Sequence, residues 1–170
     1  MTRRGTMKAK PQCLLLDACI IIGAIEEGCW EPLLEKCRVA VPATVVGECL
    51  NQGHNIRPLV DCGTITEFEG TDIEIVEVRS ILAGKVGIDS GELEALALMR
   101  TDELAEHYFC TSDAAAVKAA VFLDMHHRLT SLEEILNKIG YGRALAYKYT
   151  RAFLQQTRAQ GFALKLRLTR

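Results

Sequence analysis

Gln12–Leu16 is a short apolar run closed by Asp17, and a second apolar stretch, Ala18–Ile25, follows and stops at Glu26-Glu27-Gly28. The pattern predicts a strand, an acid and a helix in that order. Arg38–Val41 reads as a second short strand. Pro42 suits the first turn of a helix running to about Leu50, where Asn51-Gln52-Gly53 ends it. Residues 51–63 read as a loop and Thr64–Phe68 as a strand; Thr71–Leu82 reads as a helix stopped by Ala83-Gly84-Lys85-Val86-Gly87. Asp89-Ser90-Gly91-Glu92 has the acid-x-x-Glu form of a capping box ahead of Leu93, Leu96 and Ala97, which marks a helix start. Tyr108–Cys110 is a strand closed by Thr111-Ser112-Asp113, and Ala114–Val121 is an alanine-rich helix. Met125–Leu129 is a last strand, and Ser131–Lys138 a helix capped by Ser131. After a break at Gly140–Gly142, residues 142–160 form an amphipathic helix through Leu145, Tyr149, Phe153 and Leu154.

Strands that alternate with helices imply an α/β fold, a single three-layer domain whose central, mostly parallel sheet is flanked by helices. The expected boundaries are 11–139 for that domain and 140–170 for a C-terminal helical extension. Length agrees with one domain, since 170 residues suffice for one sizeable core. A chain that is 49% hydrophobic and 25% charged is neither disordered nor of low complexity. No apolar run approaches the roughly 20 residues of a membrane span. The basic start Met1-Thr2-Arg3-Arg4-Gly5 is followed by no apolar stretch of signal-peptide length, so a cytoplasmic protein with no membrane partner is expected. The 7 cysteines are odd in number and include no Cys-x-x-Cys, and Cys13, Cys19, Cys49 and Cys110 lie in or beside apolar segments. They read as small buried hydrophobes.

Charge adds a sharper feature. All 22 acidic residues lie within 11–134, whereas Arg3, Arg4, Lys8 and Lys10 at one end and Lys138, Arg143, Lys148, Arg151, Arg158, Lys165, Arg167 and Arg170 at the other have no acid among them. An acidic body between basic ends could grip a polyanion, although a solvated basic helix face needs no ligand.

Four acids then stand out. In open α/β sheets ligands bind beyond the carboxyl ends of the strands, and Asp17 and Asp113 each close a strand at that edge. Glu92 sits in the first turn of a helix, and Glu48 lies on the helix after Pro42 among Val45, Val46, Cys49 and Leu50. Each has an ordinary alternative: Asp17 and Asp113 as N-caps, Glu92 as a capping-box partner, Glu48 in an ion pair. Taken together, four converging carboxylates would raise one another's pKa unless a cation sat among them, and Mg²⁺ or Mn²⁺, hard ions with oxygen ligands, suit that place.

The motifs Leu-Leu-Leu-Asp17-Ala-Cys-Ile-Ile-Ile, Val-Pro-Ala-Thr-Val-Val-Gly-Glu48, Ile-Asp-Ser-Gly-Glu92-Leu-Glu-Ala-Leu-Ala-Leu and Phe-Cys-Thr111-Ser112-Asp113 resemble, in order and spacing, those of the PIN-domain family of metal-dependent nucleases. The resemblance runs from about Cys13 to about Leu136, and its downstream Ala/Leu pattern selects Glu92 over Asp89 or Glu94 as the third acid. It implies a PIN-like fold, hydrolysis of RNA phosphodiester bonds, and Asp17, Glu48, Glu92 and Asp113 as catalytic ligands of Mg²⁺ or Mn²⁺. Thr111 and Ser112 would support a carboxylate or a phosphate. It further implies a toxin of a toxin–antitoxin pair, with an antitoxin partner and a homodimer. The chain departs from the family where Ala18 and Cys19 replace the usual Thr or Ser and Asn or Ser after the first acid. That departure motivates the competing reading of an inactive PIN-like scaffold that binds RNA or protein. A phosphatase would want a second Asp where Cys19 stands, and thiol redox chemistry would want paired cysteines.

Overall fold

In a computed structural model residues 11–169 are described. Arg3, Arg4, Lys8, Lys10 and Arg170, part of the basic ends, lie outside the described residues. Five strands, β1 (Gln12–Leu16), β2 (Cys37–Pro42), β3 (Ile65–Phe68), β4 (Tyr108–Cys110) and β5 (Leu129–Thr130), form one sheet in the order β3-β2-β1-β4-β5. Every pairing is parallel. The helices are α1 (Ala18–Glu26), α2 (Trp30–Lys36), α3 (Ala43–Asn51), α4 (Arg57–Asp61), α5 (Asp72–Leu82), α6 (Ser90–Leu98), α7 (Ala114–Phe122), α8 (Leu132–Lys138) and α9 (Arg151–Leu168).

Alternation along the strands divides the core in two, because successive side chains leave a strand on opposite faces. Leu14, Leu16, Val39, Val41 and Cys110 join α1, α3 and α8 in one apolar cluster, while Leu15, Ala40 and Phe109 join α5, α6 and α7 in the other. With both faces covered, the strands carry apolar residues on both sides, which is why β1 reads as an unbroken run rather than an alternating one.

Caps set the helix starts. Thr71, Asp89 and Ser131 each make a reciprocal capping box, with Glu74, Glu92 and Glu134. The seven cysteines are all free. Among the described residues no helix is long and apolar enough to cross a membrane.

Several elements differ from the sequence pattern. The loop expected over 51–63 contains α4, and α2 lies between β1 and β2 where no element was expected. Pro42 is the last residue of β2 and precedes α3. The strand expected over Met125–Leu129 is instead a 3₁₀ turn, His126–Arg128, followed by the two-residue β5. Here the Arg128 side chain overrides local propensity: its guanidinium donates to the carbonyls of Met99, Leu104 and His107 and ties the turn to the chain entering β4. The helix expected over 142–160 begins only at Arg151. Gly142 and its neighbours run irregularly to a 3₁₀ turn at Tyr147–Tyr149, and Thr150 caps α9 by accepting from Phe153 N at 3.2 Å.

α9 docks on α7 through a contact that requires a small residue. A Cβ on Gly161 would lie 3.0 Å from Val121 Cγ2 and 3.3 Å from the Lys118 Cα. Beyond that contact Lys165 Nζ donates to Val121 O and Asp124 Oδ1, at 3.2 and 2.7 Å. Gly161→Leu is expected to lever α9 from α7 and cost about 1–3 kcal/mol, read as a lowered midpoint in urea unfolding.

Candidate functional site

The strand order reverses direction at β1: the chain builds outward through β2 and β3, then returns to add β4 on β1's other side. Such a switch point opens a crevice at the carboxyl ends of the two strands, because their following helices depart to opposite faces. Asp17 directly follows β1, and Thr111-Ser112-Asp113 directly follows β4. The register Leu16↔Cys110 sets these segments side by side, and Asp17 N donates to Cys110 O at 3.2 Å.

Asp17 is buried and its carboxylate is held on both oxygens. Oδ1 accepts from Ala18 N at 2.7 Å; Oδ2 accepts from Thr111 Oγ1 at 2.9 Å and from Cys19 Sγ at 3.2 Å. Cys19 therefore supplies a donor to the first acid from the place where the resembling family carries a hydroxyl or amide. Burial and the adjacent Asp17 push the Cys19 thiol up to about 12, so the proton stays on sulfur and can be donated. Ser112, expected to meet a carboxylate or phosphate, hydrogen-bonds to Cys19. Asp113 caps α7, its Oδ1 accepting from Ala115 N and Ala116 N at 2.6 and 3.0 Å, while its own N–H donates to Thr111 Oγ1 at 3.0 Å.

The other two acids come together through α6. Glu92 Oε2 accepts from Asp89 N at 3.3 Å, and Asp89 Oδ1 accepts from Glu92 N at 3.0 Å. Glu48, from α3, takes the Gly91 N–H, and a Cβ on Gly91 would lie 2.6 Å from its Oε1. Glycine at 91 is what lets the two helices approach with the carboxylate between them. No Lys or Arg pairs with Glu48 among the described residues. The capping alternatives for Asp17, Glu92 and Asp113 are realised, and the same caps aim the three carboxylates.

Asp17, Glu48, Glu92 and Asp113 all line one cleft of about 360 Å³, together with Glu26, Asp89, Ala18, Cys19, Tyr149 and Lys148. Asp89, passed over as the third acid, thus joins the cleft as well; its capping role hid it. Glu94 does not. Its oxygens accept from Thr44 N and Gly70 N, each at 2.9 Å, and bind α6 to α3 and to the turn before α5. Burial is the first cause, and the neighbouring carboxylates the next, that raise Glu92 to about 8 and Glu48 to about 7; Asp17 is raised by burial above all. The helix N-termini at Asp17, Asp113 and Asp89 partly offset the crowding, their N–H groups facing the acids.

An oxygen-only donor set at this edge matches the chemistry of a hard, hydrated dication more closely than that of a soft metal. Among the described residues no three His, Cys, Asp or Glu side chains form a ready-made ligand cluster, so any ion would be held by fewer carboxylates together with water. The chain matches no family model and no curated protein.

Raised carboxylates carry a pH signature. Glu48 and Glu92 bind protons more tightly folded than unfolded, so between their ordinary value of 4.5 and their folded values of about 7 and about 8 the folded state holds more protons. Stability from this source is fully present in acid and falls as pH rises through that window. In EDTA, the melting temperature is expected to drop between about pH 5.5 and about pH 8.5, and Glu92→Gln to reduce the drop, measured by circular dichroism.

Proposed function

We propose that this chain is a divalent-metal-dependent endoribonuclease of the PIN type that hydrolyses RNA phosphodiester bonds. One observation carries the reading: four acids from four separate stretches of sequence, selected by motif order, line a single cleft at the sheet's switch point. When bound there, Mg²⁺ or Mn²⁺ supplies a water of lowered pKa and neutralises charge at the scissile phosphate.

The protein's own part is positional. Thr111 and Cys19 fix the Asp17 carboxylate by donating to the same oxygen, leaving its remaining lone pairs toward the cleft. Asp113 spends Oδ1 on its cap and has Oδ2 left for the cleft; Glu92 spends Oε2 and has Oε1 left. Gly91 holds Glu48 against the start of α6. Partners of this kind orient ligating carboxylates and keep them ionised once a cation arrives. The toxin role, an antitoxin partner and a homodimer rest on the resemblance alone.

The second reading, a scaffold that binds RNA without cutting, draws on the lack of a preformed ligand cluster among the described residues. Cleavage of a single-stranded RNA pool in Mn²⁺ separates the two. The wild-type chain is expected to cut, with Asp17→Asn and Asp113→Asn each slower by about a hundredfold or more; no cleavage by the wild type at high enzyme concentration returns the chain to the scaffold reading. The Cys19 donor has its own test. Cys19→Ser keeps a donor and is expected to retain activity, whereas Thr111→Val should lose about 10–100-fold at unchanged melting temperature within a few degrees.

A further inference from the structure

Lys148 lines the acidic cleft although it belongs to the segment after residue 140. Its neighbours fasten that segment along α1. Arg143 Nη1 donates to the Glu27 carbonyl at the end of α1. Tyr149 is buried, and its ring lies on Gly23 so closely that a Cβ there would collide with the phenol oxygen. Thr150 then starts α9, whose far end is tied to α7. The strap is therefore anchored on both sides of Lys148.

The Lys148 ammonium stands 4.9 Å from the centroid of the Tyr149 ring. Among the described residues no carboxylate pairs with it, even though Glu26, Glu48, Asp89 and Glu92 line the same cleft. Resting on an aromatic face orients an ammonium without consuming its N–H donors. Among the described residues, every other charged residue lining the cleft is an acid. A phosphodiester approaching such a wall is repelled, and one fixed cation at the rim, exposed to solvent, offsets that repulsion where the backbone must enter.

We propose that Lys148 is a substrate-binding residue of this cleft, donating to a backbone phosphate of single-stranded RNA beside the scissile bond and held in place by Tyr149 on Gly23. This rests on the nuclease reading for the identity of the polyanion.

The test is fluorescence anisotropy of a labelled single-stranded oligoribonucleotide with the full chain, at several salt concentrations, with Ca²⁺ replacing Mg²⁺ to prevent cleavage. Manganese uptake is measured alongside by calorimetry. Lys148→Met is expected to weaken RNA binding by about tenfold, the loss of one charge-assisted contact. It should also flatten the plot of log affinity against log salt by about 0.7, the share of one phosphate. Lys148→Arg should keep wild-type affinity and slope. Gly23→Ala, which displaces Tyr149 while leaving a good helix former in α1, should reproduce the Lys148→Met result. Manganese uptake should be the same in all four proteins. Equal affinity and slope in wild type and Lys148→Met overturn the assignment even if the wild type cuts RNA, and so does a wild type that does not bind the RNA. A chain that takes up no manganese and never cuts, yet loses RNA affinity with Lys148, refutes the nuclease reading and leaves the Lys148 contact standing.

Discussion

Dehydration of clustered carboxylates, with their mutual repulsion added to it, is the constraint that the site in this fold has to meet. Bringing Asp17, Glu48, Glu92 and Asp113 to one cleft works against solvation and against Coulomb's law together, and Glu48 and Glu92 register the cost as pKa values near those of histidine. A fold selected only for stability would place such groups apart. Here three helix N-termini, the Thr111 and Cys19 donors and the backbone N–H of Gly91 are spent on holding them together. On the proposed reading, a divalent cation would be the group that offsets this cost.

The sheet makes the convergence possible. Parallel strands all discharge their chains at one edge, so acids that follow β1 and β4 are neighbours although Asp17 and Asp113 are 96 positions apart. On α6 the helical repeat makes a finer distinction. Glu92 and Glu94 lie two positions, about 200°, apart, so one faces the cleft while the other reaches Thr44 and Gly70 on the opposite side. The two glutamates divide the work, one structural and one exposed to the site.

Much of this was legible beforehand. Strands bounded by Asp17 and Asp113 and the capping box at Asp89-Glu92 follow from local pattern, because caps and strand ends are decided by residues a few positions apart; the choice of Glu92 over Asp89 or Glu94 comes from the family resemblance. The misjudged elements share a physical reason. Arg128 turned an expected strand into a 3₁₀ turn by bonding carbonyls more than 20 residues away, and Tyr149 drew 147–149 out of an expected helix by packing on Gly23. Long-range contacts outweigh propensities worth about 1 kcal/mol or less per residue.

The sequence by itself determined the alternation of strands and helices, the capping of their ends and which acids stand at strand termini, since each depends on covalent neighbours and on the periods of strand and helix. Only the tertiary structure decided that Cys19 serves Asp17 as a donor, that Gly91 exists to admit the Glu48 carboxylate, that Asp89 joins the cleft, and that Lys148 from the distant extension stands at its rim. These are matters of which surfaces meet. Side-chain burial across layers settles that, and no local pattern encodes it.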